Sequence, residues 1–261
     1  IRINALRSDN LEEIIALTDV MPVDSYLLKS AVQEKAVKVA SWVLAQGISA
    51  DFIDPKTGEN LLHIACDDKP YDFTFDNRIE LVNTLLDAGV DINLENKKGD
   101  TPIERMFISQ GGKYEDPIKL VKVLLDAGAD VNAVTSQNRS LLHHAADRRD
   151  DDLINFFLDE GAVIDEGTLA HMNLSPATMA ILMEKGADPL NFTDNIQGLL
   201  DPETQHNFVV LLMEKGVAAS DFDLRFVSDN FKTLAYLVES GADVGASDVL
   251  MNCISDYKGM E

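Results

Sequence analysis

Basic residues are scarce in this chain of 261 residues. It carries 22 Lys and Arg against 45 Asp and Glu, a formal charge of −23. Phosphate backbones are bound through clustered Lys and Arg, so this balance argues against nucleic-acid binding, and it disfavours anionic membrane surfaces too. The same charge favours encounter with basic proteins and opposes self-association. We therefore expect a monomer on its own whose partner is another protein with a basic surface.

Cysteines and long apolar runs are also few. Two cysteines, Cys66 and Cys253, do not make a disulfide framework. No apolar run approaches the roughly 20 residues of a bilayer span. The chain begins at Ile1 rather than Met, which is compatible with an N-terminal signal that has been removed. The expected compartment therefore stays open between the cytoplasm and the periplasm or the cell exterior.

A short phrase recurs seven times along the chain: an apolar pair, two small or charged residues, then glycine. Before each glycine, apolar residues follow the i, i+3, i+4 spacing of one buried helical stripe. A glycine just past a helix ends it in the left-handed conformation without a Cβ clash. The phrase therefore predicts seven amphipathic helices, closed by Gly47, Gly89, Gly128, Gly161, Gly186, Gly216 and Gly241. Successive glycine numbers differ by 42, 39, 33, 25, 30 and 25.

A turn-rich segment and a second helix start follow several of these glycines. One hairpin begins Gly128-Ala129-Asp130-Val131-Asn132, and one helix opens Thr101-Pro102-Ile103-Glu104. Thr101 suits the N-cap, and Pro102 loses no bonded N–H at the first helical position. Related openings read Asn60-Leu61-Leu62-His63-Ile64-Ala65 and Ser140-Leu141-Leu142-His143-His144-Ala145.

These features together resemble the ankyrin repeat, which has a period of ~33 residues and the mark T-P-L-H-x-A. A tetratricopeptide array has a similar period but offers no Gly-Ala-Asp hairpin. The resemblance implies an all-α helix-turn-helix repeat solenoid with short hairpin turns. It would cover nearly the whole chain as a single domain, 1–261, with about eight repeats and a capping helix at 248–256. The shorter spacings after Gly161 predict degenerate copies there.

No catalytic or metal-binding signature accompanies the repeats. His63 and His143 fall on the T-P-L-H position, where the resemblance implies hydrogen bonds between neighbouring turns. His144 and His171 lack the His-x-x-x-His or Cys-x-x-Cys spacing of zinc ligands. We therefore expect no enzyme, no cofactor and no metal.

Two lengthened loops are candidate binding elements. One spans 67–77 in the third repeat, and the other spans 109–117 in the fourth, where stacking would bring them side by side. Exposed aromatic side chains are favoured binding anchors. They would equally serve to cover the helix ends as a local cluster, so both interpretations stay open. The aromatic residues of these loops are Tyr71, Phe73, Phe75 and Tyr114.

The resemblance further implies that the turn tips and first-helix faces bind partners on the concave side. The residues predicted there are Phe52, Lys56, Glu59, Glu95, Lys97, Asp100, Gln137 and Arg139. Because no effector module accompanies the repeats, we predict a protein that binds and occludes a partner. An inhibitor or protective partner of an enzyme with a basic surface fits this description. The alternative is an ankyrin scaffold, adaptor or secreted host-directed effector that bridges two proteins.

Overall fold

The computed structural model describes residues 2–19, 22–67, 75–108, 117–135, 139–148, 150–164, 175–199 and 201–243. The chain divides into two compact units, Ile1–Leu141 and Leu142–Glu261. Regular structure in the described ranges is helical, apart from the isolated antiparallel bridges Ile53↔Asn60 and Val134↔Ser140. The predicted all-α fold class is therefore confirmed, while a single domain over the whole chain stays a prediction.

The first unit is built from pairs of short helices. They are α1 (Arg2–Arg7), α2 (Leu11–Ala16), α3 (Ser25–Gln33), α4 (Val37–Ala45), α5 (Leu61–Cys66), α6 (Phe75–Asp87), α7 (Pro102–Ile108) and α8 (Pro117–Asp126). Helices two places apart in this order pack together: α2 on α4, α3 on α5, α4 on α6, α5 on α7 and α6 on α8. First helices therefore stack on first helices and second on second, as repeats do. Helix α1, which the glycine pattern did not predict, pairs with α2.

The second helix of each pair ends as the glycine pattern predicts. All seven predicted glycines have a positive φ, from +80° at Gly89 to +105° at Gly241. In the repeat that ends with α8, Gly128 N donates to Leu125 O at 2.9 Å and Ala129 N to Leu124 O at 2.9 Å. These bonds satisfy carbonyls that the helix leaves open. The apolar stripe ahead of the glycine is buried, with Leu120, Val121 and Leu124 each 0% exposed.

Two non-glycine residues with positive φ join neighbouring repeats in the first unit. Asp9 (φ 47°) accepts hydrogen bonds from the backbone N–H groups of Lys38 and Val39 at 3.0 and 3.1 Å, and so caps α4. Lys35 (φ 56°) donates from Nζ to the carbonyls of Ile64 and Ala65 at 2.7 and 2.8 Å, at the end of α5. Each side chain satisfies helix-end groups of the next repeat.

The second unit contains α9 (Leu141–Arg148, whose first residue closes the first unit), α10 (Asp151–Asp159), α11 (Pro176–Glu184), α12 (Pro202–Glu214) and α13 (Phe231–Glu239). After Gly186 and Gly216, short 3₁₀ turns stand where a first helix is expected. They are Pro189–Phe192, Asp194–Gly198, Ala219–Asp221 and Leu224–Val227. Spacings of 30 and 25 residues leave little room for a hairpin and two α-helices. The 3₁₀ turns still bury apolar residues, among them Phe192, Ile196 and Val227.

The predicted capping helix at 248–256 and Cys253 lie outside the described residues. Within them, no helix is both long and apolar enough to traverse a lipid bilayer.

Candidate protein-binding surface

The hairpins of the first unit lie directly against one another. Lys97 N donates to Thr57 O at 2.9 Å, and Lys97 Nζ donates to Pro55 O at 2.6 Å. Asn93 links the next pair of hairpins, because its Nδ2 donates to Gly128 O at 2.9 Å and its Oδ1 accepts from Asp130 N at 3.1 Å. Three successive hairpins are therefore held together by hydrogen bonds, the first two at their tips and the next two where they begin, which makes them a preorganised surface.

His63 ties the base of one hairpin to the preceding helix. Its side chain is fully buried, and Nε2 lies 2.9 Å from Asp100 O. Because a carbonyl only accepts, Nε2 carries the proton and Nδ1 accepts from Asn60 N at 3.2 Å. Burial lowers the pKa of His63, which favours this neutral form. The structural role that the resemblance implied for His63 is confirmed, and His143 is also buried.

An aromatic and cationic cluster lies at the start of this surface. The rings of Tyr26 and Phe52 meet edge to face with centroids 6.0 Å apart, and Lys29 Nζ lies 5.2 Å from the centroid of Phe52. Lys29 Nζ also pairs with Asp54 Oδ2 at 2.5 Å. That contact and the backbone N–H of Lys56 lower the pKa of Asp54 to about 2. Tyr26 nevertheless remains 64% exposed.

The residues predicted on the turn tips fall into three groups. Lys56, Glu95 and Lys97 are exposed, and Phe52, Glu59 and Arg139 are half-buried. Asp100 is buried at 3% exposure. Its N–H bonds Asn96 Oδ1 and its carbonyl accepts from His63 and Asn96, so it supports the hairpin instead of facing a partner. Gln137 lies outside the described residues.

Most of the predicted loop aromatics also fall outside the described residues, namely Tyr71, Phe73 and Tyr114. Helix α6 begins at Phe75, two residues before the predicted end of its loop. Phe75 therefore belongs to the helix rather than to the loop.

Sequence reasoning missed three exposed apolar residues, one on α3 and two on the hairpins. Tyr26 stands where the ankyrin motif has threonine, three residues before Lys29. Ile53 and Val134 are 53% and 51% exposed, and each follows a C′ glycine by six residues. Glu95 holds the same place in the hairpin between them. Aligning the seven glycines would have revealed this position, because the alignment brings Ile53, Glu95 and Val134 to the same place in three successive hairpins.

The chemistry of this surface is that of docking. No group of three or more His, Cys, Asp and Glu side chains in the described part of the chain is arranged to hold a metal ion. Buried His63 makes backbone hydrogen bonds on both ring nitrogens, so neither is available to a substrate. What the surface offers is exposed apolar side chains beside fixed charges.

Comparison with known proteins gives one result that bears on this geometry. Residues 71–168 match the family model of ankyrin repeats, in three copies. No curated protein matches the chain. The matched span covers α6 to α10 together with the hairpins that follow α6 and α8. Ankyrin repeats are protein–protein interaction modules, which agrees with a surface built for docking. Residues 71–168 are therefore ankyrin repeats, in three copies.

Proposed function

We propose that this chain binds and occludes a partner protein and catalyses no reaction. The observation that carries the proposal is the exposure of Ile53 and Val134 on hairpins that hydrogen bonds hold in place, and of Tyr26 on α3 beside the first of them. Apolar and aromatic side chains on a preorganised surface anchor partners at low entropic cost. Those three residues serve no core in the first unit, so a partner is the reason we assign to them.

The proposed surface combines the exposed and half-buried predicted residues with the three that the structure adds. Asp100 is left out because it is buried. The surface consists of Tyr26, Phe52, Ile53, Lys56, Glu59, Glu95, Lys97, Val134 and Arg139. The predicted loop aromatics Tyr71, Phe73 and Tyr114, together with Phe75 at the start of α6, are a second proposed contact region. We also propose that the repeats extend on both sides of 71–168, because the glycines outside that span share the same helix-end geometry.

The proposed partner has a basic surface. The chain carries 45 acidic residues against 22 basic ones, and exposed acids such as Asp87 and Asp126 close the second helices. Long-range attraction raises the rate of encounter with a basic protein before the hairpin tips dock. An inhibitor or protective partner of an enzyme would act in this way.

The alternative function is a scaffold, adaptor or secreted host-directed effector that bridges two proteins. One observation favours it: the chain divides into two compact units. Each unit is large enough to carry a surface of its own. Stoichiometry separates the two proposals, because an occluding protein takes one partner and a bridging protein takes two at once.

Parallel affinity capture tests the proposal. Wild type, a Tyr26→Ala plus Ile53→Ala variant and an exposed control, Glu80→Gln, are used as baits, and the captured proteins are identified by mass spectrometry. A partner of the hairpin surface is retained by wild type and by the control and lost by the double variant. One-to-one binding with loss of the partner's activity supports occlusion, and two partners held together support bridging. Equal retention by all three baits contradicts the proposed surface.

A further inference from the structure

One side-chain position joins the first helices α3 and α5 to the hairpins that follow in the next repeat. In the repeat of α3 the residue is Lys29, whose Nζ pairs with Asp54 Oδ2 at 2.5 Å. In the repeat of α5 it is His63, whose Nε2 donates to Asp100 O at 2.9 Å. The same carbonyl accepts the bond that closes its hairpin, from Asn96 N at 2.9 Å. Each of these junctions therefore has a proton donor directed at the next repeat.

Glu104 holds this position in the repeat of α7. It follows Thr101 by three residues, as His63 follows Asn60. Its side chain is fully buried, and its Oε2 accepts from Thr101 N at 2.7 Å and Thr101 Oγ1 at 2.9 Å. Its Oε1 is buried with no hydrogen-bond partner among the described residues. An ionised carboxylate has acceptors only, so a glutamate here would break the pattern of donors.

We propose that Glu104 keeps a proton in the folded protein at pH values where exposed glutamates are ionised, and that it donates this proton from Oε1 to the carbonyl of Arg139. Arg139 follows Glu104 as Asp100 follows His63, at the residue before the next helix opening. Its carbonyl accepts from Thr135 N at 3.0 Å, as that of Asp100 accepts from Asn96 N. A carbonyl oxygen has a second lone pair for the second donor. The carboxyl group of Glu104 thus makes the kind of hydrogen bond that the imidazole of His63 makes in the preceding repeat.

The surroundings of Glu104 favour the protonated form. Burial raises its pKa, and the negative charges of Asp100 and Glu95 on the preceding hairpin raise it further, against the two bonds from Thr101 that lower it. On α5 the residue at the junction is His63, which burial keeps neutral. Arg105, the neighbouring cation on α7, is directed at Glu59 and Asp67 at 3.4 and 3.5 Å. The charged residues of the following hairpin are Asp130 and Arg139.

The direction of the resulting pH dependence is fixed by the raised pKa. The folded state holds the proton more tightly than the unfolded state, so the stabilisation is present in full below the ordinary glutamate pKa of ~4.3 and is lost as pH rises through the folded pKa. The second and third hairpins are therefore joined more firmly at lower pH. Where the proposed function holds, this junction makes the spacing of the docking surface sensitive to pH.

A pH series of urea unfolding curves tests the proposal without any partner. Trp42 is the only tryptophan and lies in the first unit, so its fluorescence reports on that unit. Glu104→Gln keeps the shape, a donor and an acceptor but does not titrate, and Glu80→Gln controls for the loss of one exposed charge. From about pH 5 to about pH 8, the midpoint of wild type should fall relative to that of Glu104→Gln, while Glu80→Gln follows wild type. Parallel curves for wild type and Glu104→Gln would overturn the proposal.

A direct titration of the glutamate carboxyl groups in wild type tests the proposal even if Glu104→Gln folds poorly. In wild type with carbon-13 in the glutamate carboxyl groups, one resonance should titrate well above ~4.3. This resonance should be missing from the spectrum of Glu104→Gln. If that variant does not fold, it should be missing from the spectrum of Glu104→His, which has at 104 the residue type found at 63. Glutamate carboxyls that all titrate at ordinary values overturn the proposal. Neither outcome depends on whether the hairpin surface binds a protein.

Discussion

Single polar side chains join neighbouring repeats in the first unit. Asp9, Lys35 and His63 each reach the backbone of a neighbouring repeat and are bonded there. A buried polar group that loses its partner costs about 1–3 kcal/mol, because water cannot replace the bond. Conservative-looking changes at these positions should therefore weaken the unit more than surface changes do.

His63→Ala should lower the free energy of unfolding of the first unit by about 2 kcal/mol or more. The change leaves the buried N–H of Asn60 without its acceptor, removes a donor to Asp100 O and creates a cavity. Urea unfolding followed by Trp42 fluorescence measures the loss. Lys56→Ala, on the exposed tip of the adjoining hairpin, is the control and should unfold close to wild type. An unchanged midpoint for His63→Ala would show that the bonds of this histidine contribute nothing net.

Cys66 should be unreactive toward thiol reagents in the folded protein. Its sulfur is fully buried, and burial raises the pKa of its thiol to about 12, so almost no thiolate forms near neutral pH. After unfolding without reductant, we expect two reactive thiols per chain, Cys66 and Cys253. Thiol titration of native and unfolded protein checks both statements. Rapid labelling of Cys66 in the native protein, or no thiol after unfolding, would contradict them.

At the scale of elements, two glycines of the first unit are required for different reasons. One is required for its backbone conformation alone, and the other also because the chain packs closely there. Gly58 and Gly89 have nearly the same φ, +75° and +80°. A Cβ at Gly89 would meet nothing within 4 Å, whereas one at Gly58 would lie 2.9 Å from the backbone nitrogen of Lys97. Gly89 is therefore needed for its conformation alone. Gly58, at the hairpin tip, is needed both for its conformation and for its contact with the next hairpin.

Gly89→Ala should cost about 1–2 kcal/mol of stability, the penalty of an L-residue in the left-handed region. Gly58→Ala should cost clearly more, because Lys97 must move and its bond to Thr57 O is strained. Both variants are measured by the same urea experiment on Trp42 fluorescence. Equal losses would mean that the two hairpins separate without cost, and the docking surface would then not be rigid.

The two loops predicted from the sequence give a prediction for binding. Phe73→Ala combined with Tyr114→Ala should weaken the partner by on the order of 2 kcal/mol or more, as the loss of anchor residues does, with little change in folding. Affinity by calorimetry and the thermal midpoint are measured on the same samples. Tyr26→Ala plus Ile53→Ala is the matched comparison on the hairpin surface. Normal binding with early melting in the loop variant would instead identify the loop aromatics as a local core.

At the scale of the whole molecule, net charge is the dominant property. A formal charge of −23 should steer a basic partner from a distance, and such steering acts on the association rate. Surface charges are screened beyond about 8 Å at physiological ionic strength. The association rate should therefore fall steeply from about 50 mM to about 500 mM salt, while the dissociation rate changes little. A flat association rate would show that the acidity serves solubility alone.

Much of the helical order was predictable from the sequence, because helix ends depend on local chemistry. A glycine past an apolar stripe ends a helix wherever the chain goes afterwards, and all seven predicted glycines do so. Asn60 caps its helix through a bond within four residues of sequence. Degenerate copies after Gly161 were likewise foreseeable, since the spacing alone limits what 25 or 30 residues can form.

The proposed docking surface and the junctions were not predictable in this way, because they depend on groups 25 to 42 residues apart in sequence. Asp100 looks like an exposed turn residue, yet stacking of the next repeat buries it. Glu104 looks like a surface glutamate in a helix, and only the packing of α7 shows it to be buried with one oxygen unpaired. The sequence by itself determined the helices, their ends and the acidic charge, since these follow from neighbours along the chain. Only the tertiary structure decided which polar groups lose their water, because burial depends on what the other repeats bring against them.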